Sequence, residues 1–339
     1  METRYSRQTL FPGIGKDGQK KLLESRVLLI GGGALGASHA EMLARAGVGF
    51  IRLVDRDFVE YSNLQRQTLY SESDAKERLP KAVAAKDRLA QINSEIEIDA
   101  VIADVNNSNI ESLVKDVDLV LDGADNFYAR DLVNDACVKL GKTWIYGAAV
   151  SSYGTSMTII PGETPCLRCM FEEMPAPGSS PTCDTAGVIQ PIISTISSIQ
   201  VSEAIKIITG KTDKLHGSLV QVDVWENDWR KIKLSEPNED CETCQKKEFE
   251  FLAAENADSI TSLCGRDAVQ IRPVNSTGID LASFSQKFKD DKTLKVNDYL
   301  LRFRAEGYEI TLFKDARAII KGTDDKSTAR SVYAKYIGS

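Results

Sequence analysis

The sequence predicts an α/β protein: a doubly wound, mostly parallel sheet with an antiparallel extension, followed by a small α+β domain. Three observations carry this. A buried-strand run at 27–30 (Val-Leu-Leu-Ile) leads directly into Gly31-Gly32-Gly33-Ala34-Leu35-Gly36 and then into a helical pattern. Strand-like runs then alternate with helical runs, the pattern of a parallel sheet with helices on both faces. A polar run at 235–247 closes that unit, and a separate strand–helix–strand pattern begins near 262. The predicted domains are therefore 1–245 and 262–339.

Taken in order, the helix after the glycine turn runs to about Ala46, where Gly47 and Gly49 stop it. Phe50 to Val54 reads as a second strand, ending at Asp55. A polar segment, 56–72, follows. Pro80 stands where a helix can begin, at the N1 position it tolerates, and that helix runs to about Asn93. Strands are expected at 96–102, 118–121 and 143–146, with helices near 108–115 and 127–140. Strands at about 149–160, 217–224 and 229–234 would extend the sheet. The segment 171–184 is rich in Pro, Gly and Ser and reads as a loop. The second domain reads as strand 268–272, helix 280–288, strands within 294–303, 308–313 and 316–321, and a last helix at 325–337.

Composition excludes several classes. The chain has 339 residues, 42% hydrophobic and 27% charged, with a net charge of −7 and a pI near 5.2. Nucleic-acid binding needs many cations facing phosphates, so this balance argues against it. The N-terminus has no apolar signal core. The most apolar stretch, 188–209, contains Gln190, Glu203 and Lys206, which disfavour a bilayer and suit a buried helix. A cytoplasmic protein with no membrane association is expected. With only His39 and His216, histidine-based acid–base chemistry is not expected.

The chemistry begins at the glycine loop. Gly31, Gly33 and Gly36 fit G-x-G-x-x-G between strand and helix, where backbone N–H groups approach a phosphate and the helix N-terminus faces it. This gives the sheet a Rossmann-like character. Asp55 ends the next strand, where a carboxylate can bond ribose hydroxyls. That much indicates a nucleotide without separating NAD from ATP. Beyond it lie Asp57, then Ser62-Asn63-Leu64-Gln65-Arg66-Gln67, then Lys81, and finally Asp122-Gly123-Ala124-Asp125-Asn126. An NAD loop has no need of these extra cations and carboxylates. A triphosphate needs Arg and Lys for its charge and a carboxylate for Mg²⁺. Seven cysteines include two Cys-x-x-Cys pairs, Cys166/Cys169 and Cys241/Cys244, which in a chain without a secretion signal favour a metal over disulfides.

Together these motifs resemble the ubiquitin-activating-enzyme superfamily in its bacterial MoeB/ThiF (HesA/MoeB/ThiF) branch, over about 4–245. The resemblance implies an ATP-dependent enzyme that adenylates the C-terminal Gly-Gly carboxylate of a ubiquitin-like sulfur-carrier protein, for molybdopterin or thiamine thiazole biosynthesis. On matching positions, Asp55 would hold the ribose, Asn63, Arg66 and Lys81 the phosphates, and Asp125 Mg²⁺, with Asp57 and Asn126 completing the nucleotide set. Arg7 would reach the triphosphate from a partner subunit, implying a homodimer. The four paired cysteines would hold a structural Zn²⁺. Cys183 matches the family's loop cysteine, which in some members joins the carrier covalently; a cysteine desulfurase is the implied sulfur donor. The chemistry fits the composition, because a carboxylate is already a nucleophile at neutral pH and needs no general base. The alternatives are an NAD-dependent oxidoreductase, which leaves Arg66, Lys81 and the cysteine set unexplained, and a non-catalytic carrier-binding scaffold. Some relatives end in a rhodanese domain with a Cys-x5-Arg loop; here Cys264 has Gln270 at that spacing, so the second domain is assigned no reaction.

Overall fold

The computed structural model describes residues 4–171, 183–254, 259–263, 267–273, 278–289 and 291–338. The chain divides into two compact units, Met1–Ala254 and Glu255–Ser339.

The first unit is built on eight strands: β1 (Arg26–Ile30), β2 (Phe50–Asp55), β3 (Glu97–Ile102), β4 (Leu119–Asp122), β5 (Thr143–Val150), β6 (Tyr153–Ile159), β7 (Ser218–Asp223) and β8 (Asp228–Lys233). Their order is β3-β2-β1-β4-β5-β6-β7-β8. The first five are mutually parallel, and β6 to β8 extend the sheet antiparallel. The parallel strands are near-continuous apolar runs because both of their faces are covered. One face packs Leu29, Ile51, Leu53 and Leu121 with helices Ala34–Ala46 and Lys81–Ile92. The other packs Leu28, Ile30 and Val120 with helix Phe127–Leu140.

The long apolar helix is Gln190–Thr209, with Pro191 in its first turn. By length and composition it is apolar enough to cross a membrane. In the fold it lies against β5, β6 and helix Ala34–Ala46. Its Glu203 is 1% exposed, accepts from Thr158 and the amide of His216, and pairs with Lys206.

Several boundaries differ from expectation for identifiable reasons. β5 and β6 form a hairpin turned by Ser151 and Ser152, with Ser151 at φ 55°; without Gly or Asn at the turn, the break left no mark in the sequence. Pro80 is the N-cap of the helix that Lys81 opens, one position earlier than expected. The polar stretch after Asp55 holds a short turn, Tyr61–Asn63, and an unexpected helix, Glu72–Glu77, capped by Ser71. The first unit also continues past the polar run: Phe249, Phe251 and Leu252 pack against its core, and helix Glu250–Ala253 docks on Phe127–Leu140. Most of the loop at 171–184 lies outside the described residues.

The second unit is a six-stranded antiparallel sheet of β9 (Ser259–Leu263), β10 (Ala268–Arg272), β11 (Lys295–Val296), β12 (Leu300–Ala305), β13 (Tyr308–Phe313) and β14 (Ala318–Lys321), ordered β11-β12-β13-β14-β10-β9. Val269, Ile271, Leu301, Phe303, Ile310 and Ile320 face helix Lys326–Tyr336, which buries Ala329, Val332 and Tyr333. β9 was not foreseen, and Cys264 lies outside the described residues.

Candidate active site

The chain runs from β1 outward to β2 and β3, then crosses back to place β4 on the other side of β1. The C-terminal ends of these strands therefore open a crevice of the kind that binds ligands in α/β sheets. The glycine loop lies there. Gly31 adopts φ 89°, and a Cβ on it would lie 2.6 Å from Gly123 O. A Cβ on Gly36 would lie 1.8 Å from Gly31 O. Gly31 is demanded by the close packing of the loop onto the turn after β4, and Gly36 by the packing of the first helical turn onto Gly31 itself. Gly33 differs: a Cβ there would meet only Gly123 O at 4.0 Å, an ordinary contact. The protein's own packing does not require glycine at 33. Gly33 also caps helix Ala34–Ala46 without any side-chain acceptor, which leaves that helix N-terminus suited to an anion.

Asp55, at the end of β2, accepts from Gly32 N at 2.6 Å and from Asp57 N at 2.6 Å. Burial pushes its carboxyl above the usual range, and Lys81 together with these two amides opposes that shift. Lys81 is 4% exposed; its Nζ lies 3.4 Å from Asp57 Oδ2 and its amide donates to Asp57 O. Arg56 donates to Asp104 at 2.9 Å, and its Nε lies 3.9 Å from Asp57. Asp104, Asp57, Asp125 and Asp55 together hold the Arg56 guanidinium firmly charged against the opposing effect of burial. Four carboxylates thus surround the cations Arg56 and Lys81, an acidic surplus suited to a divalent ion.

On the β4 side, Asp122 is fully buried; it accepts from Arg130 Nε at 2.9 Å and from Ala124 N at 2.8 Å. Arg130 also donates to Ala124 O and Gly147 O, fixing the turn that carries Asp125. Asp125 is exposed at the mouth of the crevice. Asn126 donates to Asp125 at 3.0 Å and caps helix Phe127–Leu140 by accepting from Ala129 N, so it has a structural task of its own.

Away from the crevice, Cys166, Cys169, Cys241 and Cys244 converge. Their sulfurs lie 3.9 Å (166–169), 3.6 Å (166–241) and 3.4 Å (169–244) apart, and all four fall within 4.8 Å of one another. A tetrahedron with Zn–S of about 2.3 Å places its sulfurs about 3.8 Å apart. The donor set therefore fits a tetrahedral thiophilic metal. The Cys166 thiol donates to Cys169, which brings the Cys169 thiol down to about 5.

The ThiF family profile matches residues 5–243. The chain belongs to the ThiF family. Among relatives of this ThiF-family chain, the sulfur carrier protein ThiS adenylyltransferase of Bacillus subtilis (strain 168) is 44% identical over 340 residues, spanning all of both chains. The molybdopterin-synthase adenylyltransferase of Escherichia coli (strain K12) is 40% identical over 246 residues, covering 71% of this chain and 95% of that one. Among solved structures, that of E. coli MccB with ATP superposes with a TM-score of 0.63 at 24% identity, covering 71% of this chain and 74% of the other, a likeness of fold.

The ThiF-family fold brings Gly31, Gly33, Gly36, Asp55, Asp57, Lys81 and the Asp125–Asn126 turn to one crevice. Asn63 is buried in the connection after β2, where its Oδ1 accepts from Glu60 N. Arg66 is half-buried and donates to Ser62 O. Arg7 is not brought near. It is exposed on a one-turn helix, Ser6–Thr9, tied to the far end of Ala34–Ala46 by Gln8 donating to Ala46 O. That 13-residue helix is about 20 Å long, with the glycine loop at its opposite end. Cys183 opens a short helix, Cys183–Ala186, separate from the long one; its side chain lies outside the described residues. The sequence reading missed Arg56, Asp104 and Arg130, and named Asp122 only as part of the Asp122–Asn126 run, with no role. Arg56 was legible only as the residue between two chosen aspartates, and Arg130 as a cation one turn after Asn126.

Proposed function

We propose that this protein is the ATP-dependent adenylyltransferase of a ThiS-type sulfur carrier, acting as a cytoplasmic homodimer in thiamine thiazole formation. The single observation that carries the choice of carrier is the extent of the likeness: 44% identity to the ThiS adenylyltransferase runs through both units, whereas the match to the molybdopterin-synthase enzyme covers 71% of the chain.

In this reading the carrier's terminal Gly carboxylate attacks the α-phosphorus of ATP and pyrophosphate leaves. The chain supplies position and charge. Asp55 receives the ribose, and the amides around Gly33 receive phosphate. Lys81, Arg66 and Asn63 bind and neutralise the phosphates. Asp125, with Asp57 nearby, would hold the Mg²⁺, which would supply positive charge toward the pyrophosphate. Arg7 comes from the partner subunit, since its own crevice is a helix length away. The four thiolates would hold Zn²⁺ as a closed structural site, which would pin the 166–169 and 241–244 turns together without a part in the chemistry. The Cys183 thiolate then attacks the carrier's acyl-adenylate, AMP leaves and a thioester forms; a cysteine desulfurase persulfide displaces Cys183 from it, and a second thiol reduces the resulting acyl disulfide to the carrier thiocarboxylate.

The test is isotope exchange between labelled pyrophosphate and ATP, with purified carriers added singly. Exchange should require a carrier ending in Gly-Gly and proceed faster with the ThiS type than with the MoaD type. Exchange without any carrier would refute the assignment; a preference for the MoaD type would reassign the pathway. Cys183→Ala should leave exchange unchanged and abolish a carrier–enzyme adduct in intact-protein mass spectrometry.

A further inference from the structure

Besides Arg130, helix Phe127–Leu140 buries three neighbouring polar side chains: Asp131 at 2%, Asn134 at 0% and Asp135 at 1% exposure. Buried polar groups on a helix face are retained where they meet specific partners. Asn134 Oδ1 accepts the amide of Leu167 at 2.9 Å. Leu167 lies between Cys166 and Cys169, and its amide opens the short helix that Cys166 caps without a side-chain bond. Asp135 Oδ1 accepts the hydroxyl of Thr243 at 3.4 Å, and Oδ2 accepts the amide of Phe251 at 3.0 Å. Thr243 lies between Cys241 and Cys244. Adjacent residues on one helix thus each grip the inside of one Cys-x-x-Cys turn.

The spacing of those turns decides whether four sulfurs can meet a single ion. The turns come from distant parts of the chain, with Cys166 and Cys241 separated by 75 positions. Neither turn is part of a sheet that would set its distance from the other. Besides the Asn238 amide, which reaches Cys169 directly, the element both turns share is the helix. Its other end belongs to the nucleotide crevice, where Asn126 caps it beside Asp125 and Arg130 locks Asp122.

We infer that Asn134 and Asp135 are positioning residues that set the separation of the two cysteine turns, making helix Phe127–Leu140 the shared scaffold of the metal site and the nucleotide site. The inference rests on the reading of the four thiolates as a zinc site. Groups that orient metal-bearing elements without binding the metal commonly change affinity by about 10–100-fold when removed.

The experiment measures Zn²⁺ release from the full-length protein to a chromogenic chelator, alongside the visible spectrum of the Co²⁺-substituted protein. Asp135→Ala should release zinc about tenfold faster or more, with shifted or broadened tetrathiolate cobalt bands. Asp135→Asn keeps one acceptor for Phe251 and can donate to Thr243, so it should restore both readouts. If Asp135→Ala does not fold, Thr243→Val removes the same hydrogen bond with little change of volume and should also speed release. Wild-type release rates and spectra in Thr243→Val and in Asn134→Ala would overturn the inference. A wild-type protein that binds neither zinc nor cobalt would overturn it through the zinc reading, and that outcome is distinguishable because no variant is involved.

Discussion

The Gly32 amide donates to Asp55 Oδ2 at 2.6 Å, so one carboxylate at the end of β2 holds the glycine loop of β1 in place. Its other oxygen holds the amide of Asp57, the first turn of the connection that carries the remaining phosphate-side residues. Asp55 therefore organises the crevice before any nucleotide arrives. Asp55→Ala would strand two buried amides at about 1–3 kcal/mol each. The variant should lose about 2–6 kcal/mol of unfolding free energy in urea, measured without ATP. Unchanged stability would mean that Asp55 serves the ligand alone.

The three glycines should separate by experiment. Gly36→Ala places a Cβ 1.8 Å from Gly31 O, so the loop cannot close and little folded protein is expected. Gly33→Ala meets nothing closer than 4.0 Å and should fold with a near-normal melting temperature. It should nevertheless weaken ATP binding about tenfold or more, as read by calorimetry, because the added methyl occupies the space a phosphate needs. Normal ATP affinity in Gly33→Ala would show that the loop does not hold the phosphates.

Asp125→Ala should abolish pyrophosphate exchange while leaving the melting temperature unchanged, because the side chain is exposed and supports no core packing. Arg7→Ala should be similarly inactive if each site borrows Arg7 from its partner. Mixing the two inactive proteins then restores one intact site in each mixed two-fold dimer, about a quarter of wild-type activity overall. No recovery after subunit exchange would place Arg7 outside the site.

Asp131 gives a pH signature. Burial raises its carboxyl to about 7, with Asp135 and Glu250 adding to the shift and Arg168 opposing it. The folded state thus holds a proton between about pH 4 and 7 that the unfolded chain has released. This group's contribution to stability is fully present below about pH 4 and is lost as pH rises through 7. Asp131→Asn is neutral throughout, so its gain over wild type should be larger at pH 8 than at pH 5, by on the order of 1–3 kcal/mol. Equal differences at the two pH values in thermal melts would contradict the raised value.

Much of the first unit was legible because its signals are local. A strand that runs into G-x-G-x-x-G and a helix is set by neighbours a few positions apart, and the Cys-x-x-Cys pairs announce metal chemistry through residue type alone. The Ser151–Ser152 hairpin was hidden because no residue there marks a turn. The helix Glu72–Glu77 was hidden because its caps act on too short and polar a segment to show periodicity.

What the sequence by itself determined was the class of sheet, the position of the glycine loop and the residue types available for charge and metal. What only the tertiary structure decided was which of them meet. Parallel strand order places Asp55 and Asp125 at the ends of β2 and β4, the two strands that flank β1, although 70 positions of chain separate their numbers. It sets Arg56 among carboxylates from three connections, and the packing holds Arg7 beside the end of helix Ala34–Ala46 that is remote from its own crevice. Local pattern depends on the preferences of neighbouring residues, whereas these encounters depend on crossover connections and on the packing of a core that buries each strand on both faces.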